Sequence, residues 1–183
     1  MKLIIVSGLS GSGKSVTLDT LEDAGFYCID NLPIALLSNF VTLLTDSTNT
    51  LFHKTAVGID ARSDPSSLNN VTAFIEQLKN HRIDYEVIFL RASKDSLLKR
   101  FSETRRKHPL SNKDTSLDEA IDLEIDKLSL IASHASLQID TSHSNVHELR
   151  DIIRQRVSFN RGQGLSLQIM SFGYKHGAPN DVD

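Results

Sequence analysis

The residue types and spacing that best announce chemistry are Gly8, Leu9, Ser10, Gly11, Ser12, Gly13, Lys14 and Ser15, which match G-x-x-x-x-G-K-[ST]. The glycines allow positive φ and close backbone approach, so successive N–H groups can turn inward around a polyphosphate. Lys14 is placed to reach the outer phosphates, and the Ser15 hydroxyl to ligate Mg²⁺. Leu3, Ile4, Ile5 and Val6 precede the loop as a short buried strand, while Val16, Leu18 and Leu21 follow it on a helical period that stops at Gly25. That order sets the positive end of a helix dipole against a bound anion. A dinucleotide fingerprint fails, because Val16 stands where its third glycine belongs. The plain alternative is a Gly/Ser-rich strand-to-helix turn with no ligand.

Two aspartates, Asp30 and Asp60, close apolar runs and can orient a nucleophile or hold Mg²⁺ beside the loop. Both also suit a turn or cap, since Asp30 precedes Asn31-Leu32-Pro33 and Asp60 precedes Ala61-Arg62-Ser63-Asp64-Pro65. Candidate catalytic residues are therefore Lys14, Asp30 and Asp60, with Ser15 and Asp60 as metal ligands. Asp140 ends another apolar run, and a turn before the last helix explains it equally well. Lys99, Arg100, Arg105, Arg106, Lys107 and His108 form a basic cluster running into Pro109. Here Arg105 and Arg106 suit a lid that neutralises phosphate charge, or else a solvated helix end. Arg150, Arg154, Arg156 and Arg161 read as a solvated helix face, with a phosphate-contacting patch as the alternative. Asp114, Asp118, Glu119, Asp122, Glu124 and Asp126 read as an exposed acidic face. His143 and His147 lack the glutamate of H-E-x-x-H, which argues against zinc. The single Cys28 forms no internal disulfide and reads as a buried filler.

The elements that must position these residues alternate. Strands are expected over 3–7, 26–30, 55–60, 85–90 and 137–140. Between them lie apolar helical faces: Leu36, Leu37, Phe40, Val41 and Leu44; Leu68, Val71, Ile75 and Leu78; Leu97, Leu98 and Phe101 behind a Ser93 cap. Ser116 and Glu119 form a capping box opening a helix with Ile121, Ile125, Leu128 and Ala132 in one stripe, and Val146, Leu149, Ile153 and Val157 line a last helix. This alternation predicts an α/β fold of the P-loop NTPase kind, a kinase-like three-layer sandwich around a mostly parallel five-stranded sheet with ligands at the carboxyl ends of its strands. With 183 residues, 39% hydrophobic and 23% charged, the chain suits a globular domain, and a net charge of −3 gives no global pull toward nucleic acid or membrane. No apolar run approaches the roughly 20 residues of a membrane span, and the N-terminus has no signal-peptide layout, so a cytoplasmic location is expected. From Asn160 the pattern changes to a turn and then an extra strand over 165–172, so a nucleotide-binding domain over 1–160 and the truncated start of a second domain over 161–183 are expected.

Three ordered blocks carry a wider resemblance: residues 6–15, residues 21–33, and Thr104-Arg105-Arg106-Lys107-His108-Pro109-Leu110. With Asp140-Thr141-Ser142 and residues 171–177 added, the whole chain resembles the RapZ/YvcJ family. The resemblance implies a kinase-like nucleotide-binding N-terminal domain that takes ATP and GTP. Residues 8–15 correspond to the family's ATP loop and Asp60, Ala61, Arg62 and Ser63 to its GTP segment. The family pattern has Val and Asn where this chain has Ala61 and Ser63. Members in gamma-proteobacteria bind the small regulatory RNA GlmZ and present it to RNase E, which controls glucosamine-6-phosphate synthase expression. RNA and sugar-phosphate binding there belong mainly to the C-terminal domain. The resemblance thus implies nucleotide, RNA and RNase E as partners in the full-length protein, and a homo-oligomer. The residues alone leave two other readings open: a P-loop kinase acting on a small metabolite, and an oligomerisation scaffold that has kept the loop.

Overall fold

The computed structural model describes residues 1–46, 50–61 and 71–159. β1 (Lys2–Gly8) runs into α1 (Lys14–Asp23), then β2 (Tyr27–Ile29), α2 (Ile34–Asp46), a 3-10 turn (Thr50–His53) and β3 (Lys54–Gly58). α3 (Val71–Asn80), β4 (Asp84–Arg91), α4 (Lys94–Thr104), α5 (Leu117–Ser133), β5 (Leu137–Asp140) and α6 (Val146–Phe159) follow. The five strands lie in the order β2-β3-β1-β4-β5, all parallel.

Alternation along the strands divides the core between two faces. Leu3 and Ile5 of β1, Val57 of β3, and Val87 and Phe89 of β4 share one cluster with apolar residues of α2, α3 and α5. Ile4, Val6, Ala56, Ile88 and Leu90 point the other way, toward Leu18 and Leu21 of α1 and Leu149 and Ile153 of α6. Register holds these rows together: Val6 pairs with Gly58 on one side and Ile88 on the other. Each fully buried Leu or Ile contributes about 1.5–3 kcal/mol, so the central strand, enclosed on both faces, anchors the loop that leaves its carboxyl end.

All five expected strands form, with ends shifted by a residue or two. Ser93 caps α4 by accepting from the Ser96 amide, and Ser116 and Glu119 form the capping box of α5. Three helix stripes need correction. Leu36 and Val146 are 48% exposed, and in α5 Ile125 is 45% exposed while Glu124 is fully buried. Turning 100° per residue, α5 presents Ile121, Glu124, Leu128 and Ile131 inward, so a glutamate occupies the place expected for an isoleucine. Leu68 and the strand expected over 165–172 lie outside the described residues.

Candidate functional site

Where β1 meets α1 the chain turns through glycines in backbone conformations that other residues rarely adopt. Gly8 has φ +146°, and a Cβ there would lie 2.2 Å from the Leu90 carbonyl oxygen; at Gly13, with φ +110°, it would lie 2.5 Å from Leu149 Cδ2. Carbonyls along the loop are taken up by the protein itself. Lys14 Nζ donates to Gly8 O at 2.7 Å, Ser12 donates to Leu9 O through its amide at 3.0 Å and its hydroxyl at 2.6 Å, and Arg100 Nη1 donates to Gly11 O at 3.0 Å. Thr141 Oγ1 lies 2.9 Å from Ser12 O, and the Thr17 amide donates to Gly13 O at 3.0 Å as the first intrahelical bond of α1. No side chain caps α1, whose N-cap is Gly13. The opening amides of an α-helix have no intrahelical acceptor, so this helix presents donors and a positive dipole end where the loop opens.

A cleft of about 550 Å³ opens there, lined by Ser10, Gly11, Gly13, Lys14, Ser15 and Val16 from the loop and α1. Asp30 and Asp60 enter from the carboxyl ends of β2 and β3, and Arg100, Phe101, Thr104, Arg106, Lys107 and Pro109 form the remaining wall. Asp60 is only 6% exposed. The Asn31 amide, turned with its nitrogen toward Asp60, donates to both carboxylate oxygens at 3.0 and 3.3 Å. Asp30 and Ser15 are exposed. Gly8, Leu9 and Ser12 shape the loop from behind and do not line the cleft. Ala61 is buried in the core, and Arg62 and Ser63 lie outside the described residues. Arg105, at φ 52°, closes α4 by donating its amide to Phe101 O, and its side chain is not part of the cleft wall, whereas that of Arg106 is.

Mg²⁺ takes hard oxygen ligands, usually one or two from protein, with phosphate and water completing its shell. The Ser15 hydroxyl and Asp60 carboxylate on the same cleft are such a pair. Among the described residues no group of three or more His, Cys, Asp or Glu could form a protein-only cage.

Several residues that hold the loop were not singled out for it by the sequence. Glu124 accepts from the Ser10 amide at 2.8 Å and the Ser10 hydroxyl at 2.7 Å, and lies 3.1 Å from His108 Nε2. Burial alone would push this carboxyl up, but hydrogen bonds from His108 and Ser10, with the Lys14 charge nearby, hold it below the ordinary glutamate range. A strict 3.6-residue reading of α5 would have found it, because Glu124 is the one charged residue on the inward stripe. Arg100, read only as part of a basic cluster, spends its guanidinium on Gly11 O and on the hydroxyl and carbonyl of Thr141. Neither partner is near it in sequence.

Other candidates resolve to structural roles. Asp140 accepts from the Ser142 amide at 2.9 Å and pairs with Arg91 at 3.5 Å, forming the turn before α6. His143 precedes α6, where Asn145 takes up the His147 and Glu148 amides as a cap. Arg156, expected on a solvated face, instead reaches the buried Glu86 at 2.6 Å. Arg161 lies outside the described residues. Cys28 is half-buried with its thiol 3.4 Å from Leu18 O. Burial, with Glu22 and Asp19 adding to it, pushes that thiol up to about 11.

A family model described as the RapZ-like N-terminal domain matches residues 1–161. A protein of Alkalilimnicola ehrlichii named nucleotide-binding protein is 51% identical over all 183 residues, and one of the same name from Methylococcus capsulatus is 49% identical. The chain spans 63% and 62% of the length of these two relatives. Among solved structures, the YorR protein of Bacillus subtilis in complex with phosphorylated GDP superposes with a TM-score of 0.58 at 16% identity, covering 87% of this chain and 97% of that one. Shikimate kinase from Acinetobacter baumannii in complex with shikimate gives 0.52 at 16% identity, covering 87% and 94%. At such identity the likeness speaks for the fold, that of P-loop kinases.

Proposed function

We propose that this chain, which belongs to the family of RapZ-like N-terminal domains, binds a magnesium nucleoside triphosphate, ATP or GTP, in the cleft at residues 8–15. The observation that carries this reading is the division of labour in the loop backbone. Gly8, Leu9, Gly11, Ser12 and Gly13 have their carbonyls engaged by protein donors, while α1 opens uncapped onto the cleft. Backbone donors beside Lys14, facing the carboxylates of Asp30 and Asp60 across the cleft, suit a polyphosphate carried with its Mg²⁺. In this reading Lys14 neutralises the outer phosphates, Ser15 and Asp60 hold Mg²⁺, and Arg106 approaches the phosphate chain from the far wall, with Arg105 behind it.

The relatives named as nucleotide-binding proteins support the ligand class. Within a longer protein, the module would serve a cytoplasmic, homo-oligomeric RNase adapter that binds the small regulatory RNA GlmZ and directs its cleavage by RNase E. That assignment rests on the block Thr104-Arg105-Arg106-Lys107-His108-Pro109-Leu110 and its companions. No helix among the described residues is long and apolar enough to cross a membrane. Calorimetric titration with Mg-ATP and Mg-GTP tests the nucleotide site. Lys14→Ala removes a charge-assisted contact worth about 1.5–3 kcal/mol, so affinity should fall about 10- to 100-fold; unchanged binding would overturn the site. A GlmZ gel shift on the same sample asks whether this chain alone holds RNA.

A second reading, a small-metabolite kinase, draws on the exposed Asp30 carboxylate, which shares the cleft with Lys14 and Arg106 and could take the proton of an acceptor hydroxyl. Acceptor-dependent release of nucleoside diphosphate, lost in Asp30→Asn, would favour it.

A further inference from the structure

We infer that Glu124 and His108 are positioning residues of the phosphate-binding loop: a buried carboxylate–imidazole pair that clamps Ser10 and ties the placement of Arg106 and Lys107 to it. The inference rests on the nucleotide site proposed above and deepens it.

The pair sits where two distant parts of the chain meet the loop. Glu124, fully buried on α5, is 114 residues from Ser10, yet its two oxygens receive both the amide and the hydroxyl of that residue at 2.8 and 2.7 Å. His108, with its side chain fully buried against Phe101 at 5.2 Å between ring centroids, faces the same carboxylate at 3.1 Å. Its Nδ1 accepts from the Leu110 amide at 3.1 Å, so the ring proton belongs on Nε2 and is donated to Glu124. All three groups around the carboxylate are therefore donors. The Ser10 amide and the His108 N–H can only donate, and both do so to Oε2, so the place demands an acceptor; glutamine could meet them only by turning its NH₂ toward the Ser10 hydroxyl, which would then have to accept. An uncharged residue would serve if the place needed only filling, as Ile121, Leu128 and Ile131 do on the same stripe. An ionised carboxylate is costly to bury, and the cost is met at the position of α5 that receives the Ser10 amide and hydroxyl.

The consequence for the cleft is geometric. With its N–H committed to Glu124, Ser10 is held facing α5, and the phosphate cradle falls to the amides of Gly11, Gly13 and the opening of α1. His108 also lies between Lys107 and Pro109, both of which line the cleft beside Arg106. Holding the imidazole thus holds the basic segment over the same loop.

The test compares nucleotide affinity of the 183-residue chain by calorimetry for wild type, Glu124→Gln, Ser10→Ala, His108→Phe, Arg106→Ala and the His108→Phe/Arg106→Ala double variant, with circular dichroism to confirm folding. Glu124→Gln, which loses the charge and reverses the bond to the Ser10 hydroxyl, should lose several-fold in affinity for Mg-ATP, with the loss growing from AMP through ADP to ATP, because the clamp acts on the phosphate cradle. Ser10→Ala, which keeps the amide contact, should show the same trend at smaller size and serves if Glu124→Gln does not fold. Arg106→Ala should weaken wild type several-fold but add little in the His108→Phe background. Losses independent of phosphate number, or an additive double variant, would overturn the inference while leaving the nucleotide site intact. Wild type that binds no nucleotide would overturn both.

Discussion

Two buried glutamates, one on each face of the sheet, hold different things. On the α1/α6 face, Glu86 near the start of β4 is 7% exposed and pairs with Arg156 of α6 at 2.6 Å and Lys2 at 3.8 Å. On the α2/α3/α5 face, Glu124 reaches the amide and hydroxyl of Ser10 and the ring of His108. The first is a charge against charges, fastening a helix to the sheet, and Arg156 with 26% of its side chain exposed retains access to water. The second spends its charge on neutral donors of a functional loop and has no exposure at all. A charge pair at the rim can relax when one partner is lost; a carboxylate enclosed by donors cannot, because each donor is then buried without an acceptor.

The largest test of that contrast is stability. Glu124→Leu should cost about 3 kcal/mol, since it orphans the Ser10 amide and the His108 ring N–H, at roughly 1–3 kcal/mol for each unsatisfied group. Glu86→Leu should cost about 1 kcal/mol, as for a partly exposed pair. Urea denaturation of both variants measures the difference, and equal losses would erase the comparison. Acid provides the second test. The folded-state pKa of Glu124 lies below its unfolded value, so the carboxylate's contribution is fully present above the ordinary glutamate pKa, about 4.3. That contribution disappears as pH falls through the lowered folded value. The melting temperature of wild type should therefore drop more steeply below about pH 4.5 than that of Glu124→Gln; parallel curves would mean that the group is not ionised in the fold.

Smaller effects separate the loop from its scaffold. Thr141→Val removes the hydroxyl facing Ser12 O and one acceptor of Arg100. A loss of about 1 kcal/mol, or roughly fivefold in nucleotide affinity, is expected by calorimetry. On the α1/α6 face, the raised Cys28 thiol should react with iodoacetamide at pH 8 about a hundredfold more slowly than free cysteine, because so little thiolate forms. A rate equal to that of free cysteine would place Cys28 in a different environment.

Much of the fold can be read along the chain because its signals are short-range. The five strands are runs of alternating or continuous apolar residues, and the caps at Ser93 and Ser116 depend on neighbours three residues away. The loop, too, is a local motif, since its glycines and Lys14 lie within eight residues. What went unread depended on which side of a helix meets the sheet. Ile125 looked like a core residue and Glu124 a surface one, and packing reversed them. Arg156 and Arg105 likewise carry the same charge in sequence, yet one is spent on a buried glutamate and the other stands clear of the cleft wall.

By itself the sequence determined the phosphate-binding loop, the strand before it, the helix after it and the family to which the chain belongs, since each depends on residues adjacent in the chain. Only the tertiary structure decided the strand order β2-β3-β1-β4-β5 and the partners that hold the loop: Arg100, Thr141, His108 and Glu124. The contacts of Arg100, Glu124 and Thr141 with the phosphate-binding loop close chain loops of roughly 90 to 130 residues. No local propensity encodes such pairings; they form because two faces of one sheet bury their apolar rows and, in doing so, bring buried donors and acceptors together that must then satisfy one another.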